Sequence, residues 1–377
     1  MVRNVVRSGL AGVLRWSGAD RLLGHMVCGN VPLVLSYHSV VEDIAMHRGY
    51  SIPENLISQR MLERQLDWLG CRYRFISLDE LGARLEQGQP FDKPVVAITF
   101  DDGYSSVYHH AFPLLKRKGI PAGLFVVTDL IGTARLQIYD KLYLLLTRAF
   151  SRWSFPARAL ADLLLQLEVQ LPEGTALRRC VRDPFTSMRT LFTTLPQSQV
   201  RLAINALDAE DKIDESALTG LHALTWDMIS EMHGAGMTIG SHTSSHALLT
   251  IETRQTVLEE TAGSRRRLEQ RLHVPIRHFA YPDGRFDEAT VSVLAEAGYR
   301  FGYTTCLHRH PDYPLLTIPR KFMWEHSCTH ALGGFSPSIM SCQAHRAFEM
   351  LTGCDQNHDG RLASPVSFPL DPQIAGN

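Results

Sequence analysis

Pro94-Val95-Val96-Ala97-Ile98-Thr99-Phe100-Asp101-Asp102-Gly103 is an apolar run rich in β-branched residues that stops abruptly at two adjacent carboxylates and a glycine. Residues 94–100 read as a strand, and the acidic pair is costly to hold at a strand end unless something cationic shares it. A turn with a helix N-cap is the alternative, because Asp102-Gly103 alone suits one. This motif by itself leaves both open.

The same pattern repeats on either side. Strands are predicted at 32–37, 74–77, 122–127, 237–241, 277–281, 300–304 and 315–318, with helical signals between them. Short β-rich runs alternating with helices predict parallel strands joined by crossover helices. The stretch 104–118 ends in Lys116-Arg117-Lys118-Gly119, which supplies cations for a helix C-terminus and a glycine for its left-handed cap. In 253–272, Leu258, Thr261, Arg265, Leu268 and Leu272 follow a 3-4-3-4 spacing, so the aliphatic members form a core stripe and Arg265-Arg266-Arg267 reads as a solvated face. Residues 138–224 break the alternation with apolar helical runs at 143–149, 159–167 and 188–195, which predicts a helical insertion, with a separate small domain as the alternative that periodicity leaves open. The expected organisation is an amphipathic helical region at 1–30, a main domain at 31–351 carrying that insertion, and a loose tail at 352–377.

With 45% hydrophobic and 20% charged residues, a chain of 377 residues can bury a large core. Basic and acidic residues nearly balance, 38 against 39, which argues against a dedicated nucleic-acid binder. Seven scattered cysteines without a CxxC pair argue against a disulfide framework or a cysteine zinc site, and favour a reducing compartment. No apolar run is long enough to span a bilayer. Arg7 and Arg15 interrupt the apolar core that a secretion signal would need, so the first residues read as a retained helix with Val2, Val6, Leu10, Val13 and Leu14 on one face. That helix either packs on the protein's own core or docks on an anionic membrane surface. The expected location is cytoplasmic, with peripheral membrane contact through this helix. In the tail, Asp355-Gln356-Asn357-His358-Asp359-Gly360 matches the first half of a calcium loop, but the twelfth position is Val366 rather than glutamate, so an ordinary turn-rich tail is expected.

A second chemical motif, Gly240-Ser241-His242-Thr243-Ser244-Ser245-His246, also follows a predicted strand. Histidines four apart can share one ion, and two surface histidines are the alternative. One aspartate with two histidines makes a three-ligand set with open positions, the pattern of a catalytic metal. Phe279-Ala280-Tyr281-Pro282-Asp283-Gly284 and Leu35-Ser36-Tyr37-His38 likewise lie at strand ends. In α/β barrels, catalytic residues collect at the C-terminal ends of different strands, so four motifs in that position predict a shared site.

Together these residues resemble the polysaccharide deacetylase family, the NodB-homology domain of carbohydrate esterase family 4, over about 31–322. The resemblance implies an α/β fold, a distorted (β/α)7-type barrel. It implies a divalent metal, zinc by expectation, held by Asp102, His242 and His246, with Asp101 as catalytic base and Thr243 shaping the loop between the histidines. The family's third motif usually carries an arginine where this chain has Ala280 and an aromatic residue where it has Asp283. Its late Leu-any-His motif has no clear match after Arg320. Both departures are similar to the exopolysaccharide N-acetylglucosamine deacetylase branch, in which an early Tyr-His supplies the general acid, a role that falls here to His38. Cys306-Leu307-His308 is the competing source of that acid. Arg320 could replace the missing arginine by orienting Asp101.

The chemistry expected of such a site is amide hydrolysis. A metal-bound water of lowered pKa gives its proton to Asp101, a backbone N–H in the turn formed by Tyr281, Asp283 and Gly284 helps hold the oxyanion, and a histidinium protonates the leaving amine. The expected substrate is an N-acetylated amino-sugar polymer or its precursor. A deacylase of lipid-linked sugars at the membrane face is the alternative within this chemistry, and a non-catalytic carbohydrate-binding protein is the alternative outside it.

Overall fold

The computed structural model describes residues 2–22, 32–47, 49–169, 171 and 183–348. The calcium-loop stretch 355–360, Val366 and the predicted tail lie outside these. The core is a parallel sheet built from β1 (Leu33–Tyr37), β5 (Val95–Phe100), β6 (Ala122–Val126), β7 (Thr238–Ser241), β8 (His278–Ala280) and β9 (Phe301–Thr304), with β4 (Arg74–Phe75) beside the start of β5. β2 (Ser39–Val41) and β3 (Leu56–Ser58) form a separate parallel pair.

Closure comes from one short segment. β10 (Ile318–Pro319) pairs with β9, and β11 (Lys321–Phe322), a single residue later, pairs with β1 at the opposite end of the strand order. The stretch 318–322 therefore spans both edges, and the strands form a nearly closed barrel of seven, with Arg320 at the junction. The sequence predicts a strand at 315–318. Instead, 314–316 is a 3₁₀ turn and the pairing begins at Ile318, because the strand continues through Arg320 and Lys321, charges that an apolar pattern cannot anticipate.

Inward-facing side chains alternate along each strand. Val34, Ala97, Phe125, Ala280, Phe301, Tyr303 and Ile318 fill the barrel, and Leu78 and Leu81 from the helix Leu78–Glu86 plug its N-terminal end. Gly123 is required there, since a Cβ would lie 2.3 Å from Leu78. At the same end His278 bonds Tyr303 (3.0 Å) and faces Asp79 (3.3 Å), whose carboxyl is lowered to about 2, chiefly by that histidine. The remaining apolar side chains form an outer layer beneath the crossover helices.

The insertion between β6 and β7 comprises the helices Ile138–Arg152, Pro156–Gln166, Pro184–Thr194 and Gln197–Glu210. Its first helix packs on the other late ones, and Lys141 joins Asp208 and Glu215. The stretch 104–118 is a π-turn over Val107–Ala111 followed by the helix Phe112–Lys118, and Gly119 takes the left-handed cap at φ +64°. In the helix Arg254–Leu272 the buried residues include Val257, Thr261 and Leu268. Arg265 departs from the solvated face expected of it: its guanidinium donates to the Ala297 carbonyl (2.7 Å) and pairs with Glu269 (3.0 Å).

The N-terminal helix Val2–Ser17 packs on Pro337–Ala344. Ala11, Ile339, Cys342 and Ala347 form a small buried cluster, and Arg7 donates to the His326 and Ser327 carbonyls. One face remains in solvent, with Val13 64% and Trp16 91% exposed. No described helix is long and apolar enough to cross a membrane.

Candidate metal centre and active site

All four motifs arrive at the C-terminal mouth of the barrel. Parallel register puts Tyr37 opposite Phe100 and Val126 opposite Ser241, so His38, Asp101 and His242 leave neighbouring strands at similar heights. Backbone bonds extend the pairing past the strand ends: Asp101 N–H donates to Tyr37 O (2.8 Å) and His242 N–H to Val126 O (2.9 Å). Seven described non-glycine residues have left-handed φ, and four of them are Asp102, Thr243, His246 and Asp283. Such backbone is unfavourable without surrounding support, and here it clusters where side chains must be turned into the mouth.

Asp102, His242 and His246 are buried, and their candidate ligand atoms lie within 4.8 Å of one another. Asp102 Oδ1 is 3.5 Å from His242 Nε2 and 3.2 Å from His246 Nε2. His242 Nδ1 donates to the Ala280 carbonyl (2.7 Å), which leaves the lone pair on Nε2, and burial with the neighbouring His246 lowers this histidine to about 4. A neutral imidazole therefore aims a lone pair at a carboxylate oxygen that has no hydrogen-bond partner among the described residues. Two acceptors facing each other in a buried site repel, and a divalent cation relieves that repulsion; this donor set fits one. Burial raises the Asp102 carboxyl, but the three histidines outweigh it and hold it below its ordinary range.

The loop between the histidines is stabilised from two directions. His246 N–H donates to Thr243 Oγ1 (2.8 Å), and Glu260 accepts from the Ser244 and Ser245 N–H groups, each at 2.9 Å. Phe192, from the insertion, stacks on the His246 ring at 5.7 Å.

Asp101 and Arg320 form a bidentate pair, with Nη1 to Oδ1 at 2.7 Å and Nη2 to Oδ2 at 2.8 Å. Arg320 is not a surface residue but the largest fully buried side chain described, lying over the Phe125 ring. Burial raises the Asp101 carboxyl, while Arg320, His242 and His38 bring it below its ordinary value, so it is ionised at neutral pH.

His38 Nε2 lies 3.5 Å from Asp102 Oδ2, and its ring meets Phe322 edge-on at 4.9 Å. His308 lies in the connection after β9. In the third motif the Tyr281 ring is buried against Phe279 and Phe286, and the Tyr281 and Gly284 N–H groups bond to the Tyr303 and Tyr281 carbonyls. Pro282 has no N–H, so Asp283 is left as that turn's backbone donor. The Asp283 carboxylate is held by Arg189 of the insertion (2.6 Å) and by Arg285 (2.9 Å).

Two residues at the start of the insertion reach Asp102, a third joins them through Tyr104, and none has a signal in the sequence motifs. Tyr139 donates to Asp102 Oδ2 (2.6 Å), Gln137 Nε2 donates to the Asp102 carbonyl (3.0 Å), and Asp140 accepts from Tyr104 (2.5 Å), whose hydroxyl also meets that of Tyr139 (2.6 Å).

The family model for polysaccharide deacetylase matches residues 88–154 and 186–302, which contain the Asp-Asp and His-any₃-His motifs and flank part of the insertion. A Bacillus subtilis protein named for polysaccharide deacetylase, YxkH, is 21% identical over 273 residues, 72% of this chain and 63% of the relative. A Staphylococcus aureus poly-β-1,6-N-acetyl-D-glucosamine N-deacetylase is 30% identical over 119 residues, 29% of this chain and 41% of the relative, so the matches span less than two thirds of these relatives' lengths. The Streptococcus pyogenes deacetylase PplD, solved with acetate, shares the fold with a TM-score of 0.51 at 19% identity, over 83% of this chain and 97% of that one. With the barrel, its mouth and the matched motifs in agreement, the chain belongs to the polysaccharide deacetylase family.

Proposed function

We propose that this protein is a metal-dependent hydrolase that removes N-acetyl groups from the amino sugars of a polysaccharide or its precursor. The observation that carries the reading is the adjacency of two differently committed carboxylates: Asp102 faces two imidazole nitrogens, while Asp101 is turned to Arg320. A divalent ion on Asp102, His242 and His246, zinc by the chemistry of the donors, would supply Lewis acidity and a water whose pKa falls from about 15.7 towards 7.

In this reading Asp101 is the base. Arg320 fixes both of its oxygens and keeps it ionised, and the remaining lone pairs accept the water's proton. His38, at the end of β1, carries the proton for the departing amine, which leaves poorly as an anion. The Asp283 N–H is the backbone donor available to the oxyanion. The test is acetate release from N-acetylglucosamine oligomers by zinc-loaded protein and by Asp101→Asn. The variant should keep its zinc and lose on the order of 10²–10⁴ in rate, and near wild-type turnover would refute the mechanism.

A second reading, a deacylase of lipid-linked sugar at the cytoplasmic membrane face, is favoured by the exposed Leu10, Val13, Trp16 and Leu22 beside Arg15 and Arg21. Exposed aromatic and aliphatic side chains flanked by cations suit an anionic lipid surface. Turnover of detergent-solubilised lipid-linked sugar in preference to free oligomers would select it.

A further inference from the structure

Asp102 is gripped by residues that belong to the insertion rather than to the barrel. Its carboxylate has two oxygens in unlike surroundings. Oδ1 faces the two histidines and is without a hydrogen-bond partner among the described residues, whereas Oδ2 accepts the Tyr139 hydroxyl at 2.6 Å. Tyr139 is not alone there: its oxygen lies 2.6 Å from the Tyr104 oxygen, which lies 2.5 Å from Asp140 Oδ2. All four side chains are buried.

The residue at the N-cap of this helix also reaches Asp102: Gln137 makes no side-chain cap, and its Nε2 donates to the Asp102 carbonyl at 3.0 Å.

The two histidines differ in the same way. His242 is oriented by a hydrogen bond to a backbone carbonyl. His246 Nδ1 has no such partner among the described residues, and its ring is held between Tyr139 (5.0 Å, inclined 62°) and Phe192 (5.7 Å, inclined 30°). Tyr139 thus touches both ligands that the backbone leaves free to turn.

We propose that Tyr139, backed by Tyr104 and Asp140, is a positioning residue that presents Asp102 to the metal through Oδ1 alone. This rests on the metal reading above. With Oδ2 committed to the tyrosine, the carboxylate would be kept from offering both oxygens, and a bound ion would be left the open positions that a substrate and a water require.

The probe is Zn²⁺ alone, titrated into metal-depleted full-length protein against a chromophoric chelator. Tyr139→Phe keeps the ring on His246 and removes only the hydroxyl; its zinc dissociation constant should rise about 10–100-fold, in the range seen when a ligand's supporting hydrogen bond is lost. A Co²⁺-loaded sample reads the geometry independently, because the d–d absorption should weaken as Asp102 becomes bidentate and coordination rises. Tyr104→Phe, which leaves the Tyr139 bond in place but removes the hydroxyl packed against it, should shift both readings in the same direction by less, and it carries the test if Tyr139→Phe does not fold. Zinc affinity and a cobalt spectrum unchanged from wild type in the variants overturn this inference and leave the metal reading standing. Failure of wild-type protein to bind zinc overturns both.

Discussion

In the barrel, the residues that matter are located by backbone hydrogen bonds between neighbouring strands: Asp101 through Tyr37, His242 through Val126, and Arg320 through the Thr304 carbonyl. In the insertion, no functional side chain is placed by a sheet. Tyr139, Gln137, Phe192 and Arg189 act through side-chain contacts, reaching across to Asp102, His246 and Asp283. The difference separates two tasks. Register determines where a side chain sits, and a one-residue slip would move it to the wrong face altogether. Side-chain contacts determine how it is turned, where errors are fractions of a turn and their effects are graded.

The largest effect should therefore come from removing what register places. His242→Ala combined with His246→Ala should reduce metal content from about one equivalent to none by elemental analysis, and unchanged content would end the ligand assignment. Next is His38, which register brings to the mouth but no backbone bond commits to chemistry. His38→Ala should lower kcat by about 10²–10⁴ with modest change in KM, and should spare a substrate whose leaving group needs no proton. Equal loss on both substrates with a fallen melting temperature would make His38 structural. If His308→Ala instead shows that dependence on the leaving group while His38→Ala does not, the acid lies in that connection.

The smallest effect belongs to the insertion. Burial pushes the Asp140 carboxyl up to about 7 against the Tyr104 hydrogen bond, so the metal-free fold holds a proton there that the unfolded chain has released above about 4. Between those values the native state binds more protons at this carboxyl, so its own contribution to stability falls as pH rises, while His242, lowered to about 4, contributes in the opposite direction. The Asp140 share is read by difference: in metal-depleted protein the melting temperature of wild type relative to Asp140→Asn should fall by an amount on the order of a few degrees from pH 4 to 7. A slope identical in the variant would show that Asp140 does not titrate in this range.

The sequence made the barrel legible wherever a strand is a continuous apolar run closed by a turn, as at Val95–Phe100 and Ala122–Val126. It concealed β2, β3 and β11, strands of two or three residues, whereas β4 and β8, equally short, lie inside longer β-rich runs that could be read. The candidate site was legible where its residues form local patterns, as in Asp101-Asp102 and His242 to His246. Arg320 was readable as a candidate partner of Asp101 but not as a buried residue, since its burial depends on an acid 219 positions away and on a strand that pairs at both edges. Tyr139 gave no local sign at all. An aromatic residue at the start of an apolar helix reads as core packing, and only the fold reveals that its hydroxyl meets a carboxylate 37 residues earlier.

The segment that closes the barrel also arms it. Arg320 sits in the single-residue gap between β10 and β11, so the act of pairing with β9 and β1 carries the guanidinium to Asp101. Asp102, His242 and His246 all precede that segment. A chain ending before Ile318 would still contain all three proposed metal ligands, yet its Asp101 would face no arginine and its barrel would stand open. On the roles proposed above, holding a metal and orienting the base thus depend on different stretches of the chain, and the second depends on the strand that closes the barrel.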